Sequence, residues 1–229
     1  MSDCSSVGKV AIVGTGAVGG FYGGMLARAG ADVRFLFRST YDDVMRDGLS
    51  LVLHESNESF FVEPLHAYRD SSDIGVCDWV IVAAKATANV KLGEILSPLV
   101  DENTCLLTLQ NGMGNVERLV ELFGNRRTIV GGLCFTCINR TSHTVVESIL
   151  PGYVQFGQVG QSLTNKAREI MDAFAEAGVD AREAASLDEA LWRKLCWNIP
   201  FNGLSVAAGG ITTDKILADP ELARRARSL

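Results

Sequence analysis

The sequence contains few histidines and prolines and no long apolar run, and these shortages exclude several classes of protein. Its 229 residues include only three His and five Pro, and aromatic side chains make up 7%. The longest cleanly apolar run, Val80-Ile81-Val82-Ala83-Ala84, is far shorter than the roughly 20 residues that a membrane span needs. Acidic side chains outnumber basic ones by 27 to 21, for a net charge of −6, so no basic stripe is available to replace phosphate counterions. We therefore expect neither a membrane nor a nucleic acid as partner.

Cysteine and histidine do not form a pattern typical of disulfide or metal proteins. The six cysteines are irregularly spaced, and Met1 to Gly8 lack the basic and apolar regions of a secretory signal, so we expect a cytoplasmic protein with free thiols. Cys134 and Cys137 form a C-x-x-C, but in an apparent strand, where side chains three apart point to opposite faces. The three histidines are isolated from one another, and no metal site is predicted.

The first 40 residues carry the strongest pattern. An apolar strand, Lys9 to Val13, is followed by Gly14-Thr15-Gly16-Ala17-Val18-Gly19, then by a helical segment from Phe21 to Ala29 and a second strand from Val33 to Phe37. In this context Gly14 permits a tight turn, Gly16 lets the backbone approach a pyrophosphate, and Gly19 permits close packing of helix on strand. The free N–H groups at the start of the helix would face the phosphates. The six residues of this loop, Gly14, Thr15, Gly16, Ala17, Val18 and Gly19, are therefore predicted to bind a dinucleotide.

The end of the second strand indicates which dinucleotide is bound. An NAD site usually places an acidic residue there to bond the ribose 2′-hydroxyl. Here Arg38 is followed by Ser39 and Thr40, and the first acid is Asp42. A guanidinium pairs well with a 2′-phosphate, so NADPH is favoured, the alternative being an ordinary solvated arginine.

Further along the chain, strands and helices alternate up to about residue 185 and only helices are expected afterwards. Leu49 to Val62 is typical of a hairpin insertion, and Thr128 to Gly157 of three strands with turns at Asn139-Arg140 and Pro151-Gly152. The predicted fold class is α/β, with a Rossmann-type NADP-binding domain followed by an incomplete all-helical C-terminal domain. The predicted boundaries are 1–185 for the NADP(H)-binding domain and 186–229 for the N-terminal part of a helical substrate or dimerisation domain. Asp219-Pro220-Glu221 has the residues of a helix start.

Three polar residues share one face of the helix predicted after Ser186. Lys194, Asn198 and Asn202 are spaced four apart, and each step of four turns a helix by about 40°. Pro200 lies between the two asparagines and is expected to kink the helix. The spacing alone fits a solvated face as well as a functional one.

Four sequence pieces, taken in order, resemble the ketopantoate reductase (2-dehydropantoate 2-reductase) family. They are the Gly14–Gly19 loop, Lys85 after the Val80–Ala84 strand, Gln110-Asn111-Gly112-Met113-Gly114, and Leu191-Trp192-Arg193-Lys194-Leu195 with Asn198 and Asn202. The resemblance runs from about residue 8 to the end of the chain. It implies a Rossmann domain that binds NADPH, a helical domain that closes over it, and reduction of 2-dehydropantoate to (R)-pantoate on the route to pantothenate and coenzyme A.

The resemblance also implies roles for individual residues. Lys194 would be the catalytic lysine that polarises or protonates the keto oxygen, and Asn111 would position nicotinamide and substrate. Asn198 and Asn202 would hold polar groups of the substrate. Lys85 would lie near the cofactor and the substrate carboxylate, and Arg38 would hold the 2′-phosphate.

The chain departs from the resemblance at its end. Family members continue into helices that carry a serine and an acidic residue of the substrate site, and Glu221 lies too early to be that acid. A truncated chain is therefore favoured over a natural length of 229 residues. Two alternatives stay open, a related NADPH-dependent reductase of another branched 2-oxoacid and a non-catalytic NADP(H)-binding sensor. The short helical region has apolar faces to cover, which is consistent with a homodimer.

Overall fold

The computed structural model describes residues 7–229, which form two compact units, one ending at Leu187 and the other spanning Asp188–Leu229. The Cys4 thiol and most of the segment examined for a secretory signal lie outside the described residues. Within residues 7–229, no helix combines the length and the apolar character that crossing a membrane would require.

The first unit contains ten strands and five of the helices, and its elements alternate at the start as the sequence predicts. The strands are β1 (Lys9–Val13), β2 (Asp32–Leu36), β3 (Ser50–Leu53), β4 (Glu58–Phe61), β5 (His66–Tyr68), β6 (Trp79–Val82), β7 (Cys105–Thr108), β8 (Ile129–Arg140), β9 (Val145–Gly157) and β10 (Asp180–Glu183). The helices are α1 (Ala17–Arg28), α2 (Tyr41–Asp47), α3 (Leu92–Leu96), α4 (Asn115–Phe123) and α5 (Asn165–Glu176), and 3-10 turns at Ser71–Asp73, Ala86–Lys91 and Ser97–Leu99 complete the connections.

A parallel sheet occupies the centre of this unit. Its strands lie in the order β8-β7-β6-β1-β2-β5, and every neighbouring pair in that series is parallel. The three neighbouring strands β7, β6 and β1 are short and almost wholly buried apolar runs, as expected where helices cover both faces of a parallel sheet. The chain order reverses direction at β1, since β2 lies on one side of it and β6 on the other. This is the α/β fold that the sequence predicts.

The predicted hairpin insertion is confirmed as β3 and β4, which pair antiparallel. The prediction of three strands between Thr128 and Gly157 is wrong, because β8 and β9 form one long antiparallel pair and the turn lies at residues 141–144. Pro151-Gly152 lies inside β9, where the pairing register slips next to Phe135 and Cys137. Gly152 has a φ of 56°, and a Cβ there would lie 1.7 Å from the Phe135 carbonyl oxygen. The dipeptide therefore marks a β-bulge and not a turn.

Helix α1 packs between two parts of the sheet, which explains its glycines and its lack of a polar face. A Cβ on Gly23 would lie 2.5 Å from the Phe35 ring of β2, and a Cβ on Gly24 would lie 2.8 Å from Leu51 of β3. Small residues on both faces let the sheet approach the helix from both sides. The amino end of α1 is thereby fixed at the exits of β1 and β2.

The second unit consists of helices. Helix α6 spans Leu187–Ala207 and runs through Pro200, and it is followed by α7 (Thr213–Ala218) and α8 (Pro220–Ser228). The predicted start of the last helix is confirmed, because the Asp219 carboxylate accepts hydrogen bonds from the backbone N–H groups of Glu221 and Leu222 at 2.9 and 3.0 Å.

Candidate dinucleotide site

The predicted site residues of the first unit follow four strands that end at the same edge of the sheet. Val13 of β1 is level with Leu36 of β2 and with Val82 of β6, and Val82 is level with Thr108 of β7. The loops that start after these strands carry the glycines, Arg38, Lys85 and Asn111. In open α/β sheets, ligands bind outside the carboxyl ends of the strands where the strand order reverses, and here that point lies between β1 and β6.

The glycine loop is held in place by close backbone contacts. Gly14 has a φ of 95°, and a Cβ there would lie 2.3 Å from the backbone nitrogen of Ala84, just after β6. A Cβ on Gly19 would lie 2.4 Å from the carbonyl oxygen of Gly14. These two positions require glycine for packing within the protein. Together they bring the start of α1 against the exit of β6.

The start of α1 fits a phosphate group. No side chain caps the helix, and its first turn contains no acidic residue. The first N–H groups of an α-helix have no partner within the helix, and the dipole makes this end positive. Gly16 is the N-terminal cap, and a Cβ placed there would have nothing within 4 Å. Open space therefore lies in front of uncapped N–H donors, which is the environment that the pyrophosphate of a dinucleotide needs.

Arg38 lies at the exit of β2 with its side chain exposed. Within residues 7–229 its guanidinium has neither a hydrogen bond nor an ion pair. The nearby acids of α2 are engaged elsewhere. Asp42 contacts Arg69, while Asp43 accepts from Arg46 at 3.0 Å and lies 2.6 Å from His143 Nδ1. The hydrogen bonds from His143 and Arg46 lower the pKa of the Asp43 carboxyl, so it stays ionised and paired.

A chain of hydrogen-bonded amide side chains joins the loops after β6 and β7. Gln110 Nε2 donates to the Ala84 carbonyl oxygen at 2.9 Å and to Asn89 Oδ1 at 2.8 Å. Asn89 Nδ2 donates to Asn115 Oδ1 at 3.1 Å, and Asn115 Nδ2 donates to the Asn111 carbonyl oxygen at 3.2 Å. Gln110 and Asn115 are buried, whereas Asn111 is exposed at the end of the network.

This network fixes the backbone beside Lys85, whose side chain is exposed directly after Ala84. Sequence reasoning missed Asn89 and Asn115, and quoted Gln110 only as part of a motif. Local sequence offers one signal, a Gln that directly follows a buried apolar strand. Three of the four hydrogen bonds join residues 21 to 26 positions apart, so these pairings cannot be predicted from the sequence.

Lys194, Asn198 and Asn202, the three polar residues predicted to share a helix face, lie on α6 in the second unit. Lys194 and Asn198 are half-buried and Asn202 is exposed. Their spacing on one continuous helix places them along one stripe, as the sequence predicts. The neighbouring rings of Trp197 and Phe201 contact each other at 4.3 Å between centroids.

A cavity of about 630 Å³ lies elsewhere in the first unit, at the opposite end of α1. It is lined by Met25, Arg28 and Leu53, together with residues of α5 and β10, and includes none of the predicted site residues.

Comparison with known proteins identifies the family. Residues 10–161 match the family model described as ketopantoate reductase PanE/ApbA, which is more than half of the chain. The chain belongs to the ketopantoate reductase family. A 2-dehydropantoate 2-reductase of Nostoc sp. is 39% identical over 217 residues, which cover 92% of this chain and 66% of that relative.

Other ketopantoate reductases share the architecture. The crystal structure of a 2-dehydropantoate 2-reductase from Geobacter metallireducens matches with a TM-score of 0.89 and 40% identity, covering 96% of this chain and 71% of that one. A ternary structure of D-mandelate dehydrogenase with NADH shares the fold at a TM-score of 0.77 and 23% identity, covering 86% of this chain and 63% of that one. The chain spans 66% of the length of the Nostoc relative and 64% of that of an uncharacterized oxidoreductase of Bacillus subtilis, which is 27% identical over 90% of this chain.

Proposed function

We propose that this protein reduces 2-dehydropantoate to (R)-pantoate with NADPH as hydride donor, in the pathway to pantothenate and coenzyme A. The observation that carries the proposal is the 39% identity to a 2-dehydropantoate 2-reductase over 92% of the chain, together with a sheet edge that suits a dinucleotide. The uncapped start of α1 supports binding of the pyrophosphate. Arg38 supports the choice of phosphate-bearing cofactor.

The preference for NADPH over NADH rests on the exit of β2. The fold itself accepts NADH in D-mandelate dehydrogenase, so it does not decide between the cofactors. An acidic residue at this position would bond the ribose hydroxyl and repel a phosphate. Arg38 is positively charged instead, and within residues 7–229 no carboxylate forms an ion pair with it. Its guanidinium is therefore available to pair with a 2′-phosphate.

In the proposed reaction, bound NADPH would supply the hydride that forms the new C–H bond at C2 of the substrate. The electron pair of the C=O bond moves onto the keto oxygen, which takes up a proton to become the hydroxyl. We assign that proton to the Lys194 ammonium, because a cation at this oxygen stabilises the negative charge as it develops.

The remaining polar residues are assigned to binding. Lys85 is proposed to attract the substrate carboxylate near the cofactor, and Asn111 to orient the nicotinamide and the substrate. Asn198 and Asn202 are proposed to bond hydroxyl and carboxylate groups of the substrate. The domain roles, a homodimer and a cytoplasmic location likewise stay predictions.

The test is the loss of NADPH absorbance when the protein is mixed with 2-dehydropantoate. Lys194→Ala is expected to lower kcat about 10²–10⁴-fold, the range that a positioned proton donor contributes, while NADPH affinity stays within about twofold. Arg193→Ala is the matched control, since Arg193 lies next in the chain, is exposed and pairs with Glu189 at 2.7 Å. Its kcat should match that of the wild type.

Three other outcomes would contradict parts of the proposal. Faster turnover of a different branched 2-oxoacid would replace the substrate. Binding of NADPH without turnover of any oxoacid would indicate a sensor. Simultaneous loss of turnover and of NADPH binding in Lys194→Ala would assign Lys194 a structural role instead.

A further inference from the structure

The turn between β8 and β9 reaches the predicted nucleotide edge from outside the parallel sheet. Arg140 is the last residue of β8, and it is level with Val146 of β9. A Cβ on Gly20 of α1 would lie 3.0 Å from the Val146 side chain, so the hairpin tip packs on the first turns of this helix. His143 in the turn contacts Asp43 of α2 at 2.6 Å. The tip is thereby anchored on both helices that follow the β1 and β2 loops.

Arg140 joins the two loops that would meet the adenosine end of a dinucleotide. Its Nη1 donates to the Thr15 carbonyl oxygen in the glycine loop, and its Nη2 donates to Thr40 Oγ1, two residues after Arg38, at 3.1 Å. The guanidinium also donates to the carbonyl oxygens of Ser142 and His143 in its own turn. Thr15 is tied to β2 as well, because its Oγ1 donates to the Leu36 carbonyl oxygen at 2.9 Å.

The charge of Arg140 has no counter-ion in the part of the chain that the structure describes. All four of its acceptors are neutral oxygens, and it forms no ion pair within residues 7–229. Its side chain is half-buried, and burial lowers the pKa of Arg140 from its ordinary value. A partly desolvated cation that bonds only neutral groups is costly, and a nearby anion would compensate for that cost.

The position of the Arg140 guanidinium indicates which anionic group of a dinucleotide it would contact. The pyrophosphate is expected in front of α1, where backbone N–H groups receive it. Arg140 lies between the glycine loop and the loop after β2, since it donates to the Thr15 carbonyl oxygen and to Thr40 Oγ1, and Thr40 is two residues after Arg38. A phosphate on the ribose 2′-oxygen is the anionic group that an adenine dinucleotide presents near the end of β2. The four hydrogen bonds above use four of the five guanidinium N–H groups, so one Nη1–H of Arg140 is left to donate to a phosphate oxygen.

We propose that Arg140, brought by the β8–β9 hairpin, is a second cation of the 2′-phosphate subsite and acts together with Arg38 to select NADPH. This assignment rests on the proposed use of NADPH. It predicts that the hairpin contributes to cofactor choice, although Arg140 lies 125 residues after Thr15 and 100 residues after Thr40 in the chain.

The test compares two probes that differ in the 2′-phosphate, 2′,5′-ADP and 5′-AMP, by calorimetric titration of the full chain. The wild type is expected to bind 2′,5′-ADP more tightly. Arg140→Gln should weaken 2′,5′-ADP about 10- to 100-fold, as for loss of a charged hydrogen bond, and change 5′-AMP affinity by about twofold or less. Arg126→Gln is the matched control, because Arg126 is exposed before β8, at the amino ends of the strands. Its ratio of affinities should equal that of the wild type.

Each remaining outcome overturns the proposal in a distinct way. Equal weakening of both probes by Arg140→Gln would make Arg140 a structural tie between loops, and no change in either would give it no part in binding. If the wild type itself does not prefer 2′,5′-ADP, the proposed NADPH specificity fails too. If Arg140→Gln does not fold, Arg140→Lys decides, since it keeps the charge but loses the guanidinium N–H that is left for the phosphate. A lowered preference for 2′,5′-ADP supports the proposal, and an unchanged preference overturns it.

Discussion

At the scale of single residues, the charge at the exit of β2 determines which phosphate pattern the edge can accept. Arg38 is exposed and, within the described residues, unpaired, while the neighbouring Asp42 and Asp43 form ion pairs with Arg69 and Arg46. The pairing matters because an unpaired carboxylate nearby would cancel part of the attraction for a phosphate. The positive potential around Arg38 therefore depends on side chains that do not themselves contact the cofactor.

Replacing Arg38 should change cofactor preference more than cofactor binding as a whole. Arg38→Ala removes a charged donor from the 2′-phosphate and leaves the pyrophosphate site of α1 intact. We expect NADPH affinity to fall about 10- to 100-fold and NADH affinity to change by about twofold or less, measured by fluorescence titration. Arg126→Ala removes one exposed positive charge elsewhere and serves as the control for net charge. Equal weakening of the two cofactors would contradict the assignment.

At the scale of elements, α1 combines two kinds of glycine that serve different purposes. Gly19 touches the Gly14 carbonyl, so its lack of a side chain is needed for packing. Gly16 faces open space, so packing within the protein does not require glycine there, whereas close approach of a ligand to the backbone would. Stability and cofactor affinity should therefore separate between the two positions.

Alanine substitutions should reveal this separation. Gly16→Ala places a methyl group in the open cradle and is expected to weaken NADPH and NADH alike, because both carry the pyrophosphate. Its free energy of unfolding should fall by about 1 kcal/mol, since Ala is a poorer N-cap than Gly. Gly19→Ala forces a shift of backbone and should lower the free energy of unfolding by about 1–3 kcal/mol. Urea unfolding and cofactor titration of both variants test this prediction. Unchanged cofactor affinity in Gly16→Ala would contradict the assignment of the pyrophosphate to the space in front of Gly16.

The network of amide side chains around Gln110, Asn89 and Asn115 links the loops after β6 and β7. Asn115→Ala would leave the Asn89 amide without its acceptor and free the Asn111 carbonyl. We expect the free energy of unfolding to fall by about 1–3 kcal/mol, because two hydrogen bonds that each contribute about 0.5–1.5 kcal/mol are lost. Asn125→Ala, at an exposed position beyond the same helix, is the control and should change it by about 0.5 kcal/mol or less. A stable Asn115→Ala would mean that water replaces the lost partners.

Elements also show where sequence reasoning succeeds and where it fails. The glycine loop, Arg38, Lys85 and Asn111 are predictable because each follows its own strand directly, and parallel strands then align their ends. Pro151-Gly152 is misinterpreted because the same dipeptide suits a turn and a bulge, and only the Phe135 carbonyl across the pair distinguishes them.

Contacts between segments that are distant in the chain cannot be predicted from local sequence patterns. Arg140 donates a hydrogen bond to Thr15, 125 positions earlier in the chain, and no local sequence pattern around Arg140 or Thr15 predicts this contact. The same holds for the Gln110 network. Residues that touch a ligand through a local motif can thus be found from sequence, whereas those that hold the motif in place need the fold.

At the scale of the whole molecule, the charges form a pattern that predicts sensitivity to acid. The carboxyl groups whose pKa is shifted within residues 7–229 are all lowered, none raised, and each is stabilised in its charged form by a nearby donor. They are Asp43, Asp47, Glu58, Asp70, Asp101, Glu147, Asp180, Asp214 and Glu221. Ion pairs with Arg224 and Arg225 lower the pKa of Glu221 to about 2, whereas Asp101 is held first by the backbone N–H of Asn103.

Stability should therefore be constant near neutral pH and fall on acidification. A carboxyl whose pKa is lower in the folded state contributes stability above its unfolded pKa of about 4, and that contribution is lost as the pH falls through the folded value. We expect the urea midpoint to be flat from about pH 7 to 5.5 and to decline below about pH 5. High salt should weaken the part due to ion pairs, because exposed charges are screened, and leave the part due to backbone donors. Asp101→Asn keeps an acceptor oxygen for Asn103 but cannot titrate, so its midpoint should decline less between pH 5 and 3 than that of the wild type, and a parallel decline would show that Asp101 does not contribute.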